Sequence, residues 1–194
     1  MKKLLSLGMA IALAGVASAV TMQWNANSVA FGGARFNKAT GATVTGYLVA
    51  LDAFAASYDV TDSFVVSDIG TQVDTKTGTS AVGKLQGNWT IDTETYGNGD
   101  TFAILLKYTN AADSKTYWNL SSGLLAMAAM DDGSGDNPPS DANAVTGTFS
   151  FGTAATEGKL TAGGGWTAAA AVPEPGTAAL ALLGVGMLLK RRRA

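Results

Sequence analysis

The chain has 194 residues, 47% of them apolar and 14% charged, with a formal net charge of −2, 24 glycines, and neither cysteine nor histidine. Those two absences exclude a Ser-His-Asp triad, a thiol nucleophile, a disulfide staple and a Cys/His zinc site. The small net charge hides an uneven distribution. Lys2, Lys3, Lys190, Arg191, Arg192 and Arg193 crowd the two ends, while residues 20–171 hold seven cations against 14 carboxylates and so carry a net charge of −7. A surface of that sign repels phosphate, which argues against DNA or RNA as a partner.

Residues 1–19 read as a secretory signal peptide. Lys2 and Lys3 form the positive region, Leu4 to Val16 the apolar helix, and Ala17-Ser18-Ala19 the small-x-small cleavage triplet. Signal peptidase is thus an expected partner, and the mature chain is expected to start at Val20. Export normally permits disulfides, so a chain without cysteine must rely on its apolar core alone.

From Val20 to Ala171 there are 19 glycines and 21 threonines, a composition that favours short strands and turns. Thr43 to Leu51 becomes apolar on both faces at Tyr47-Leu48-Val49, as in a central strand. Phe64 to Ile69 is a short strand candidate, and Lys76-Thr77-Gly78 a turn. In Lys84 to Asp92, Leu85, Gly87, Trp89 and Ile91 alternate with polar residues. After the turn Gly97-Asn98-Gly99-Asp100, residues Phe102, Ile104, Leu106 and Tyr108 share one phase. Val145, Gly147, Phe149 and Phe151 share another. Each of these three period-two runs predicts a strand with one face in the core. Thr116 to Leu120 is a further candidate, Gly123 to Met130 is a strand or a helical turn or two, and Lys159 to Ala162 is the last strand expected.

Seven or eight strands separated by turns predict an all-β domain over residues 20–165. The expected form is an antiparallel β-sandwich of the jelly-roll or immunoglobulin-like kind, with a barrel as the alternative. Gly163-Gly164-Gly165 closes it, and residues 166–171 read as a spacer. Trp89 and Trp118 fall in phase with apolar neighbours and belong to the core; Trp24 and Trp166 flank the domain, where edge exposure is conceivable.

Two patterns invite chemistry. Asp131, Asp132 and Asp136, with Asp141 close behind, make the densest oxygen cluster and a weak calcium candidate, since the spacing departs from the EF-hand pattern. Otherwise no cofactor is expected. Paired carboxylates about 5–10 Å apart can hydrolyse glycosidic bonds, but the glutamates number only three, Glu94, Glu157 and Glu174. No catalytic residue is assigned and the chain is not expected to be an enzyme; a small carbohydrate-active enzyme working through aspartates, with calcium, is the alternative. The triplets Asn88-Trp89-Thr90 and Asn119-Leu120-Ser121 match the glycosylation acceptor pattern and are read as chance.

The C-terminal end is the most specific part of the chain. Pro173-Glu174-Pro175 forces an extended element, an apolar run follows from Thr177 to Leu189, and Lys190, Arg191, Arg192 and Arg193 close it. By the positive-inside rule the basic end stays cytoplasmic and the domain lies outside. A helix over residues 177–189 covers about 20 Å against about 30 Å of hydrocarbon, so it suits a temporary halt in the inner membrane better than a permanent span. Residues 172–194 resemble the PEP-CTERM sorting signal of bacterial exported proteins. The resemblance implies recognition and removal of the tail by an exosortase, a membrane protease-transpeptidase, in bacteria that make exopolysaccharide. The expected role is that of a structural or adhesive protein of the cell surface or extracellular matrix, with exopolysaccharide or a matrix protein as its partner.

Overall fold

The computed structural model describes residues 19–27, 29–35, 43–79, 84–127 and 145–171. The strands are β1 (Ala19–Asn27), β2 (Ala30–Phe31), β3 (Ala34–Arg35), β4 (Thr43–Ala50), β5 (Tyr58–Asp59), β6 (Thr71–Thr79) and β7 (Lys84–Asp92). They continue with β8 (Thr101–Thr109), β9 (Thr116–Leu120), β10 (Leu125–Met127), β11 (Val145–Thr146), β12 (Ala155–Glu157), β13 (Lys159–Leu160) and β14 (Trp166–Ala168). One 3-10 turn, Val66–Asp68, is the only helical element among the described residues. The chain is therefore mostly β, as its composition predicts. No described helix is long and apolar enough to cross a membrane; the expected signal helix and the helix over residues 177–189 lie outside the described residues.

Eight strands form one sheet, in which β8 is central. It pairs with β4 along one edge, and with β9 and then β10 along the other. Beyond β4 lies β6, and beyond β9 lie β14 and β12. Every pair in this sheet is antiparallel except β12 with β14. Between β9 and β10 the ladder is carried by Ser121, which is fully buried. Its N–H donates to the Ile104 carbonyl at 2.9 Å, and its hydroxyl accepts the Ile104 N–H at 3.0 Å. A side chain thus replaces a backbone partner that a buried strand must have.

Both faces of this sheet are covered. On one, Trp89 and Ile91 of β7 pack with Val44, Leu48, Phe102, Ile104 and Leu106; β7 is paired with β1 in a two-stranded ribbon. On the other, Val60, Phe64 and Ile69 from residues 51–70, with Leu160 of β13, cover Val49, Ala103, Leu105, Trp118 and Leu120. The expectation of one core face for residues 101–108 is therefore corrected: Phe102 to Leu106 are all fully buried, because β8 lies between two covering layers.

Four further expectations change. Phe64 to Ile69 is a turn, not a strand: the Val65 N–H donates to Asp68 Oδ2 at 2.8 Å, and this closure keeps Phe64 and Ile69 inward while Val65 stays exposed. Lys76-Thr77-Gly78 runs straight through β6 in register with Gly46, Thr45 and Val44. The strand expected at residues 144–151 stops after Thr146, where Gly147 takes φ 146° and sits against the Leu124 carbonyl, too close for any Cβ. Phe149 and Phe151 still reach the core, stacked edge-to-face at 5.7 Å.

Trp166 is the fourth. It belongs not to a spacer but to β14, fully buried between β9 and β12, and its indole N–H donates to the Ala30 carbonyl at 2.6 Å. Edge exposure is thus excluded for it, whereas Trp89 and Trp118 are buried as expected. Trp24 stands opposite Gly87 in the ribbon.

Candidate functional site

Antiparallel partners in register share a face of the sheet. The pairs Thr45–Thr77, Thr45–Lys107 and Lys107–Trp118 therefore form one row across β6, β4, β8 and β9. Tyr47 pairs with Thr75 and with Leu105 in the neighbouring row, and Thr109 pairs with Thr116 on the opposite side. Residues 51–70 cover this face over Val49, Ala103, Leu105, Trp118 and Leu120. Past Trp118 the face is open, and it carries the exposed hydroxyls of Thr43, Thr77 and Thr109.

Two clefts meet at this boundary, of about 370 Å³ and about 660 Å³. Both are lined by Phe64, Lys107 and Trp118; Tyr47 lines the larger. Phe64 stands edge-on to Trp118 at 5.1 Å, and Tyr47 lies tilted against it at 6.1 Å. The Lys107 ammonium sits 5.1 Å above the Trp118 ring, a cation–π contact that holds its stem on the indole and its charge at the cleft. Burial pushes the Tyr47 phenol above its ordinary pKa, so it stays a neutral hydroxyl.

The charges around this face are mostly committed elsewhere. Lys76 pairs with Asp74, Lys159 with Asp59, and Lys115 with Glu157. Among the described residues no carboxylate pairs with Lys107. On the opposite face of β9, Tyr117 donates to Asp113 Oδ2 at 2.8 Å; burial, then that bond and the Asp113 charge, push its phenol up to about 12. The Asp113 carboxyl is held below its usual range by the Lys115 N–H, and that of Glu157 by the Lys115 ammonium. Asp92 is lowered by the Thr95 hydroxyl and the Glu94 N–H. These carboxylates are ion-pair partners and acceptors, none of them held protonated as a general acid must be.

Of the residues assigned in the sequence to cleavage, sorting or metal binding, only Ala19 has a described position: it opens β1, opposite Asp92. Ala17, Pro173, Glu174, Pro175, Lys190, Arg191, Arg192, Arg193 and the acidic cluster Asp131, Asp132 and Asp136 lie outside the described residues. No group of three or more metal-ligating side chains occurs among the described ones. The open face itself was not anticipated. Part of its signal was in plain view, as Thr43 and Thr45 at alternate positions of the strand expected over 43–51 and Thr116 at the head of the one over 116–120. Thr75, Thr77 and Thr109 fell outside the expected strands, and only strand register reveals that all six share a surface.

Neither the curated proteins nor the solved structures yield a match to this chain. A family model, that of the PEP-CTERM protein-sorting motif, matches residues 171–194. It begins at the last described residue, Ala171, three positions after β14 ends. The chain carries a PEP-CTERM sorting tail directly behind its folded domain, which implies an exported protein, transiently held at the membrane and sorted by an exosortase.

Proposed function

We propose that this is a structural or adhesive protein of the bacterial cell surface or extracellular matrix, built as a β-sandwich that binds polysaccharide and does not catalyse. Signal peptidase cuts after Ala19, the tail halts in the inner membrane with its basic end in the cytoplasm, and the exosortase then removes it. The observation that carries the sorting half is the motif at residues 171–194. The binding half is supported by the open face beside Tyr47, Lys107 and Trp118, where an aromatic wall meets an array of hydroxyls. Sugars offer the matching chemistry, since apolar ring faces pack on aromatics and hydroxyls exchange hydrogen bonds with threonines.

Two measurements test this. Replacing Pro173-Glu174-Pro175 with alanines leaves the chain uncut and in the membrane fraction; identical fractionation of variant and wild type refutes the sorting role. Co-sedimentation of the full chain, in mild detergent, with the host's own exopolysaccharide tests binding. Tyr47→Ala is expected to weaken it, and absence of sedimentation by the wild type refutes it.

A further inference from the structure

We infer that the ligand of this face is a linear acidic polysaccharide of low charge density, its sparse acid groups read by Lys107 and the neutral sugars between them by the surrounding threonines. The inference rests on the polysaccharide-binding reading and sharpens it.

The register supplies the geometry. Lys107 stands in the middle of the row that joins Thr77, Thr45 and Trp118, with Thr109 and Thr116 in the adjoining row. Every other side chain in these rows is neutral, so Lys107 is the one charge on this part of the sheet among the described residues. The hydroxyls are already arranged in cross-strand pairs, Thr109 with Thr116 at 3.2 Å and Thr45 with Thr77 at 3.5 Å. Each hydroxyl retains unused donor or acceptor capacity. Strands lie about 4.7–4.9 Å apart. An open surface of that kind, bordered by the two clefts, accepts the interior of a chain laid across the strands.

Charge decides the class of chain. An ammonium has three donors and no acceptor, so an unpaired one is best satisfied by an anion. Among the cations whose side chains are described, Lys107 is the one whose surroundings leave that partner open on a cleft. The other charges of the cleft oppose a dense polyanion: Asp62 lines its wall, and Lys115 there is already taken by Glu157. The domain's net charge of −7 adds long-range repulsion to any closely charged chain. One acid group among several neutral sugars satisfies both conditions: it meets Lys107 without bringing a second charge against Asp62.

The test compares three glycans on the full chain in mild detergent: gellan, which carries one uronate in each repeat; carboxyl-reduced gellan, its neutral counterpart; and alginate, in which every sugar is a uronate. Wild type is expected to prefer gellan to both others. Lys107→Met keeps the stem over Trp118 and removes the charge; it is expected to lose roughly tenfold for gellan, the weight of a charge-assisted hydrogen bond, and little for reduced gellan. Lys107→Arg restores the preference, and an unchanged far-UV spectrum shows that the variants fold. Equal binding of gellan and reduced gellan, tighter binding of alginate, or an unaltered Lys107→Met variant overturns the inference while leaving polysaccharide binding in place. Binding to none of these glycans, together with none to the host's own polysaccharide, overturns both.

Discussion

Trp166→Ala removes the largest side chain of β14 from a fully buried position. The indole packs edge-on to Tyr108 at 5.9 Å and to Phe31 at 6.0 Å, and donates to the Ala30 carbonyl. Truncating a buried tryptophan costs about 3–5 kcal/mol in transfer free energy and cavity. Leaving the Ala30 carbonyl without its donor adds about 1 kcal/mol. The expected loss is thus about 4–6 kcal/mol, a quarter or more of the roughly 5–15 kcal/mol that holds a domain of this size. Trp166→Phe keeps a ring but not the donor and is expected to lose about 1–2 kcal/mol. Urea titration of the full chain in mild detergent, followed by far-UV circular dichroism, reads both as midpoint shifts at constant slope. If Trp166→Ala stays within about 1 kcal/mol of wild type, β14 is not the clamp that ties the C-terminal end of the domain into its sheet, and residues 166–171 behave as the spacer that their composition predicts.

Asp74 links the edge of the main sheet to the β1–β7 ribbon: it accepts the Thr90 N–H at 2.8 Å and pairs with Lys76 at 3.2 Å. Burial pushes its carboxyl up, but the Thr90 and Thr75 N–H groups and Lys76 together outweigh this and hold it below the ordinary range. A depressed folded-state pKa contributes stability that is complete above the unfolded value, about 3.9, and is lost as pH falls through the folded one. Asp74→Asn is therefore less stable than wild type at pH 7 and loses less on moving to pH 3; parallel pH profiles refute the assignment. Gly152 supplies a second contrast, because a Cβ there would stand 2.5 Å from both the Gly163 carbonyl oxygen and the Gly165 nitrogen. Gly152→Ala is expected to cost about 3 kcal/mol or more, as overpacking against backbone does. At Gly97, where a Cβ meets nothing within 4 Å, alanine is expected to shift stability by no more than about 0.5 kcal/mol. Equal midpoints for the two glycine variants would show that residues 152 and 163–165 are not packed as described.

Local pattern carried much of the fold. Residues 84–92 alternate in the sequence and form a strand with those bounds, because alternation records which side chains need the core. The same pattern is silent about what covers the second face. Ala103 and Leu105 look like the outward phase of residues 101–108 until the segment 51–70 closes over them. Glycine and lysine misled at residues 76–78: these are turn formers in isolation, yet pairing with β4 holds them extended, a case of tertiary pairing overriding local preference. The turn at residues 66–68 depends on one carboxylate reaching back to the Val65 N–H, a contact that an apolar pattern cannot encode.

What the sequence determined by itself is the sorting signal. The ordered tail of Pro173-Glu174-Pro175, apolar run and basic end is a linear signal, read by an exosortase along the chain and independent of any fold. The all-β character also follows from composition, because threonine-rich alternation fits strands in any topology. Only the tertiary structure decided that Trp166 is core and that Lys107 stands among threonines from different strands. Those residues are far apart in the chain, and register, which depends on the pairing of whole strands, sets which of them share a face.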